Sequence, residues 1–262
     1  MLNWRLQRRI WVVPRFLTVP WAVPWDGLVF GEMFEMDRPT YTLIENYMKE
    51  CMKDSSHDKE HVYRVLYTAL EIAETESDVD LDVLITACLL HDIGRKEQFE
   101  DPRLCHAAVG SEKAFGFLEA NGFDKAFCEK VRRCIFTHRF RHNDPPVSIE
   151  AKILFDADKA DASGAVGIAR TLIYKGIMGE PIYSLLPDGS VSDGTGDEVP
   201  SFFQEYKYKL ENVYSHFYTE KGRQIAASRR EAAEKYYSAL YREVSEPYQS
   251  GRKRLVNIIS EE

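Results

Sequence analysis

The 262-residue sequence predicts an all-α protein, a single helical domain with a long C-terminal helical region. Three observations carry this expectation. From Thr40 onward, apolar residues recur three and four positions apart, the period of a buried helix face. Helix stops punctuate the pattern at Gly94, Asn121-Gly122 and Pro145-Pro146. The run that is short enough to be a buried strand, residues 81–92, has helices on both sides and no strand partner.

Residues 40–53 place Leu43, Ile44, Tyr47, Met48 and Cys51 at helical spacing. Ser55, Ser56 and Asp58 can cap the next helix, which runs to about Glu74 with Val62, Val65, Leu66, Ala69 and Leu70 on one side. Residues 81–92 (LDVLITACLLHD) form a nearly all-apolar helix that Gly94 stops. Helices are expected at 104–120 and 124–138, then one or two over 148–176, where Gly164 and Gly167 permit close backbone packing. Residues 179–200 are rich in Gly, Ser, Asp and Pro and read as a loop. A charged helical region follows over 201–246, and the last dozen residues are expected to fray. The domain is therefore placed at 36–246, with a tail at 247–262 and an N-terminal extension at 1–35 outside the core.

That extension holds all four tryptophans (Trp4, Trp11, Trp21, Trp25) beside Pro14, Pro20 and Pro24. A membrane helix needs about 20 mostly apolar residues. Arg15, Asp26 and the prolines break the run, and Arg15 and Pro14 also spoil a signal-peptide centre. The segment reads as a surface extension, or as a start codon placed too early, since Met33 and Met36 both precede the first helical pattern. The composition, 44% hydrophobic and 29% charged, is that of a globular protein. A net charge of -8 argues against non-specific binding to polymeric nucleic acid, while a local basic pocket for a small phosphate ester remains open. The five cysteines include no C-x-x-C pair and fit a reducing cytoplasm. Cys88, inside an apolar run, reads as a core residue.

Three short elements carry chemistry. His91-Asp92 closes the apolar helix just before Ile93-Gly94, so two adjacent side chains can converge on one point. An imidazole and a carboxylate in an apolar setting are costly without a partner, and a cation is the usual one. The second element is S-H-D-K-E-H-V-Y-R-V (56–65), with His57 and His61 four apart and His61 in phase with Val65. The third is F-D-A-D-K-A-D (155–161), three carboxylates within six residues. Asp158 shares a face with Ala151, Leu154, Phe155 and Ala162 and is the favoured ligand, with Asp156 second.

In the order H…HD…D, these elements resemble the HD superfamily of metal-dependent phosphohydrolases. S-H-D-x-x-H-x-x-R-V, H-D-I-G-R (91–95), T-H-R-F-R (137–141) and D-A-D-K-A-D-A-S-G-A-V-G-I-A-R (156–170) together resemble its small stand-alone YpgQ/YedJ-like group. The likeness spans roughly residues 36–246. It implies an HD-domain helical bundle, a single divalent cation on His61, His91, Asp92 and Asp158, and hydrolysis of phosphate esters or nucleotide anhydrides. The usual motif has Leu where this chain has Ala160, a change that puts nothing catalytic in doubt.

Two imidazoles and two carboxylates leave open positions on an ion that prefers about six ligands. Mn²⁺ is favoured, with Mg²⁺, Fe²⁺, Co²⁺, Ni²⁺ or Zn²⁺ as alternatives. Such an ion turns a bound water into hydroxide near neutral pH. Asp92, His57 and His138 are the catalytic candidates, and Arg95, Lys96, His106 and Lys209 the substrate-binding ones. His106 and His138 suit phosphate binding or leaving-group protonation if they titrate near neutrality. The resemblance favours nucleoside triphosphates or deoxynucleotides cleaved to monophosphate and pyrophosphate. The alternatives are 5′-nucleotidase action on monophosphates, a two-metal H…HD…H…H…D site with phosphodiesterase or oxygenase chemistry, and a degenerate nucleotide-sensing domain. The expected partner is a small nucleotide or phosphate ester. No membrane is expected, and a homodimer is compatible with the pattern.

Overall fold

In the computed structural model, residues 36–53, 59–139 and 144–259 are described. Helix α1 (Arg38–Cys51) starts at Asp37, whose side chain accepts from the Thr40 amide. Helices α2 (Lys59–Ala73) and α3 (Leu81–Leu90) follow. Asp80 caps α3 by accepting from the Val83 amide, and every residue from Val83 to Leu90 except Ile85 is buried. An all-round apolar helix has to be surrounded. Helices α1, α2, α5 (His106–Ala120), α6 (Lys125–Thr137) and α7 (Ile149–Asp161) do this, burying Leu84, Cys88, Leu89 and Leu90 with Ile44, Val65, Val131 and Leu154. Burying each Leu or Ile fully contributes about 1.5–3 kcal/mol, so α3 is the anchor of this core.

The 148–176 stretch is two helices, α7 and α8 (Gly164–Ile177). Gly164 adopts a positive φ of 65° at the break, where a Cβ would lie 2.6 Å from Arg229 Cβ of the last helix. The expected close approach is thus made, and only glycine fits it. A second apolar cluster gathers Ile168, Val191, Phe202, Phe203, Tyr206, Leu210, Ala233 and Tyr237. Within it the Tyr206 and Tyr237 rings stack with centroids 4.0 Å apart.

Several boundaries differ from expectation. A short helix α4 (Arg95–Glu100) follows directly on Gly94, because the chain re-enters a helix after one turn instead of leaving for a loop. The 201–246 region is broken: α9 (Phe202–Glu205) runs into a π-helical turn at Tyr206–Leu210, and α10 (Glu220–Ile259) begins only after a turn. His216, at a positive φ of 65°, marks the break. The expected fraying tail at 247–262 is helical to Ile259, since Pro247 removes a single amide donor and helix-forming residues continue beyond it. Among the described residues there is no strand, only an isolated bridge between Leu185 and Val191 inside the expected 179–200 loop. The capping residues Ser55, Ser56 and Asp58 and the extension 1–35 lie outside the described residues.

Candidate metal centre

Helix α3 ends at Leu90, and His91 caps it in a turn that runs to Gly94. The turn lets His91 and Asp92 aim at one point, as two neighbours in mid-helix cannot. Gly94 makes room for the start of α5, since a Cβ there would overlap the His106 carbonyl and lie 2.6 Å from the Gly110 amide nitrogen. The His91 and Asp92 side chains are almost completely buried. Helix α2 contributes His61 and α7 contributes Asp158.

The candidate ligand atoms converge. His61 Nε2 lies 3.3 Å from His91 Nε2, 3.5 Å from Asp92 Oδ2 and 3.2 Å from Asp158 Oδ1. His91 Nε2 lies 3.7 Å from Asp92 Oδ2. Donors about 2.0–2.2 Å from a cation lie about 3 Å apart at right angles and about 3.4 Å apart in a tetrahedron. The observed spacings, 3.2–3.7 Å, bracket the tetrahedral value and lie just above the right-angle one.

The proton positions sharpen this fit. His91 Nδ1 donates to the Cys88 carbonyl (2.7 Å), and His61 Nδ1 donates to Asp161 Oδ2 (2.8 Å). With Nδ1 carrying the proton in each neutral ring, both Nε2 atoms offer lone pairs. Two lone pairs facing each other beside two carboxylates repel unless a cation stands between them. His61, His91 and Asp92 therefore form a donor set compatible with a divalent metal ion, with Asp158 Oδ1 beside it, 3.2 Å from His61 Nε2. Asp158 is the most exposed of the four, at 23% of its side chain, and marks the open side.

A second group shares Asp92. Its Oδ1 lies 3.3 Å from His106 Nε2 and 3.8 Å from His138 Nε2, and the two imidazoles are 3.3 Å apart. Arg95 Nε donates to the same Oδ1 at 2.9 Å. His138 Nδ1 donates to the Ile135 carbonyl. His106 Nδ1 meets Gln98 Oε1 and Arg139 Nη1, the latter at 3.1 Å. Arginine can only donate, whereas an amide can present either end. Accepting from Arg139 keeps the lone pair on His106 Nδ1 and its proton on Nε2, and the Gln98 amide then turns its NH₂ to share that single lone pair.

Electrostatics follow from burial and these partners. Burial works against charging His61, but hydrogen bonds to Asp158 and Asp161 outweigh it and hold its pKa above the ordinary value. An arrangement that draws a proton to this spot also draws a metal ion. Burial lowers the pKa of His91 and His106, and takes that of His138 down to about 4. Burial opposes ionisation of Asp92, yet Arg95 and the surrounding imidazoles keep it well below the usual carboxylate range. Asp158 is likewise held low, against its burial, chiefly by the His61 hydrogen bond.

The comparisons with known proteins agree with this geometry. The HD domain family matches residues 59–163, the span from the start of α2 to the end of α7. The Bacillus subtilis (strain 168) protein YpgQ is 31% identical over 188 residues, 71% of this chain and 84% of its own length. This chain belongs to the HD superfamily. A structure of YpgQ in complex with ADP superposes with a TM-score of 0.60 at 28% identity, covering 78% of this chain and 97% of that one. A predicted HD superfamily hydrolase from an uncultured Thermotogales bacterium aligns at 31% identity with a TM-score of 0.51, over 76% of this chain and 90% of its own. The fold is the helical one expected of an HD protein, and the chain is an HD superfamily hydrolase with a His/Asp cluster compatible with a divalent metal.

Within this HD fold the expected residues fall into distinct places. His61, His91, Asp92, Asp158, His106 and His138 come together, and Arg95 touches the cluster through Asp92. Lys96 is exposed on α4. Lys209 sits in the π-helical turn, where its ammonium pairs with Glu205 at 3.6 Å. His57 lies outside the described residues. The expectation that His106 and His138 titrate near neutrality is not met, because full burial holds both neutral well below it. Asp156, the second-choice ligand, turns the other way and accepts from the Tyr218 and Thr219 amides and the Thr219 hydroxyl at the start of α10. Asp161 and Gln98 had no expected role, and Arg64 and Arg139 entered only as the arginines of the segments after His61 and His138, although Asp161 is three residues from Asp158 and so one turn away on the same face.

No helix among the described residues is long and apolar enough to cross a membrane.

Proposed function

We propose that this HD protein is a divalent-metal-dependent phosphohydrolase of nucleotides that cleaves nucleoside or deoxynucleoside triphosphates to the monophosphate and pyrophosphate. The observation that supports it most is the pair of Nε2 lone pairs on His61 and His91 converging on Asp92 and Asp158. A nucleotide substrate is supported by the ADP complex of YpgQ. Mn²⁺ is the proposed ion, since a mixed nitrogen and oxygen donor set with an open side suits it. When bound, such an ion supplies Lewis acidity and makes a coordinated water more acidic.

The chain's own groups do the rest. Asp92 and Asp158, both held as carboxylates, accept hydrogen bonds from the attacking water and fix its direction. The water oxygen bonds to the α-phosphorus while one of its protons passes by way of Asp158, on the open side, to solvent; the α–β anhydride bond breaks, and its electron pair leaves with pyrophosphate. Arg95 holds Asp92 with Nε, so its planar guanidinium lies close enough to meet phosphoryl oxygens. Lys96 and Lys209 would contact the same phosphates only if their exposed side chains swing inward. His138 acts as a neutral imidazole, and His57 is the other candidate to meet the leaving oxygen.

One observation favours a second reading. Asp92 directs Oδ2 to His61 and Oδ1 to His106 and His138, as a carboxylate bridging two cations would. Two features speak for one ion. The proton on His106 Nε2 removes that ligand, and the Arg95 and Arg139 guanidinia flank the second group with positive charge. The deciding experiment incubates the purified full-length protein with each of Mn²⁺, Mg²⁺, Fe²⁺, Co²⁺, Ni²⁺ and Zn²⁺. Each is tested against (d)NTPs, (d)NMPs and cyclic dinucleotides, with phosphorus NMR of the products. Pyrophosphate from a triphosphate is the expected result. Bound nucleotide with no turnover under any ion would replace the enzyme with a sensing domain.

A further inference from the structure

The last part of the motif at 156–170, beyond Asp158, has no place in the chemistry above, yet its two ends meet beside the metal centre. Asp161 closes α7 with its side chain only 4% exposed. Its Oδ2 lies 2.8 Å from His61 Nδ1, on the side of the ring away from His91 and Asp158. Arg64, one turn after His61 on α2, donates from Nε to Asp161 Oδ1 at 2.7 Å and from Nη2 to Oδ2 at 3.1 Å. Arg170, from α8, donates from Nη1 to Oδ2 at 2.8 Å. A single buried carboxylate thus joins three helices and a metal-facing imidazole.

We infer that Asp161 is a positioning residue, which fixes the tautomer and ring orientation of His61 for the cation, and that Arg64 and Arg170 moderate its hold by neutralising its charge. The inference rests on the metal reading of the site. A carboxylate can only accept, so it forces the His61 proton onto Nδ1 and leaves Nε2 as a lone pair. A histidine ligand whose second nitrogen is held this way is a better and more rigid donor. The two guanidinia orient the carboxylate, since Arg64 takes both oxygens in a fork. They also place positive charge one imidazole away from the cation, which opposes metal binding. Asp161 and Arg170 therefore act on metal affinity with opposite signs, although both belong to one ion-pair network.

The test uses two variants of the full-length chain. In Asp161→Asn the amide has one oxygen, which the arginines claim, so its NH₂ turns to His61 Nδ1 and drives the imidazole proton to Nε2. Mn²⁺ affinity of the metal-stripped protein, measured by titration calorimetry, should fall about 10–100-fold. Nitrogen-15 spectra of histidine-labelled metal-free protein should show His61 changing from the Nδ1–H to the Nε2–H tautomer. Arg170→Gln should keep the Nδ1–H tautomer and bind Mn²⁺ as tightly as wild type or more tightly. A network with a purely structural role would weaken binding in both variants, or in neither, and leave the tautomer unmoved, and that result overturns the inference. Should Asp161→Asn fail to fold, Arg170→Gln alone decides, because weakened binding there contradicts the predicted sign. A wild type that takes up no divalent cation overturns the metal reading and this inference together. Normal uptake by wild type and Asp161→Asn alike overturns this inference alone.

Discussion

His61 and His91 hold their Nε2 atoms 3.3 Å apart while each ring directs its Nδ1 proton elsewhere, to Asp161 and to the Cys88 carbonyl. A neutral pair in that arrangement has no hydrogen bond to make between the rings. The relationship is stable with a proton or a metal ion in the gap, and two carboxylates select the more highly charged guest.

His61→Ala and Asp92→Ala should each abolish metal retention. Removing one of four ligands from a mononuclear site typically lowers affinity by orders of magnitude, because the remaining donors are few and pre-aimed at the missing geometry. Elemental analysis after gel filtration is the measurement. Wild-type metal content in both variants would defeat the site assignment.

Asp156→Ala should separate structure from metal binding. The buried carboxylate accepts two amide hydrogen bonds and one hydroxyl bond where α10 begins. Losing a charged acceptor for buried donors costs about 2–4 kcal/mol. The denaturation midpoint should drop accordingly, while metal content per folded chain stays unchanged. A variant that loses its metal at full stability would return Asp156 to the ligand set.

Stability of the metal-free protein should depend on pH in a defined window. Burial lowers the folded pKa of His91 and His106, and that of His138 from 6.5 to about 4. Between those two values the unfolded chain binds protons that the folded chain refuses, so stability falls as pH drops from 6.5 towards 4. His61, whose folded pKa is raised, acts in a different window: its contribution is in place below 6.5 and is lost as pH rises above it. Urea midpoints of chelator-treated protein across that range check the sign. A midpoint that holds level or rises on acidification would show that the three rings are not buried neutral.

How much of the fold and of the centre was legible in the sequence depends on which physical signal each residue leaves. The apolar run at 83–90 had to be enclosed by other helices, and it is. His91-Asp92 stood out because an imidazole and a carboxylate closing an apolar helix are costly to bury unless a cation offsets their desolvation. Asp161 did not stand out, because its partners Arg64 and Arg170 are 97 residues before it and 9 after it, and nothing local shows that they meet. The π-helical turn at Tyr206–Leu210 was equally hidden, as its residues suit an α-helix and the tyrosine stacking that accompanies it is tertiary. The tail at 247–262 went the other way: expected to fray as a chain end, it continues the helix to Ile259.

Truncation of residues 1–35 should leave a folded, active protein. The Met36 amide hydrogen-bonds Asp82 Oδ1 of α3, so the cut belongs before Met36. Comparable thermal midpoints and turnover for the two lengths are expected. Insolubility or loss of turnover in the short form would make the tryptophan-rich segment part of the working protein.

His138→Ala decides between one ion and two. In the one-ion reading the His106–His138 pair is held together by the proton on His106 Nε2, and His138 meets the metal centre through Asp92 and edge-on against the His91 ring without being a ligand. The variant should then keep about one Mn²⁺ per chain and lose most turnover, a drop on the order of 10²–10⁴-fold if the imidazole assists proton movement in the reaction. In the two-ion reading His138 is a ligand, and wild type should carry two ions, falling towards one in the variant. Metal per chain and phosphorus NMR of the products, measured together on both proteins, separate these outcomes. Two ions in the wild type would overturn the tautomer assigned to His106, since a protonated Nε2 cannot bind a metal. Inorganic phosphate appearing without pyrophosphate would keep the hydrolase and reject the α–β bond as its target.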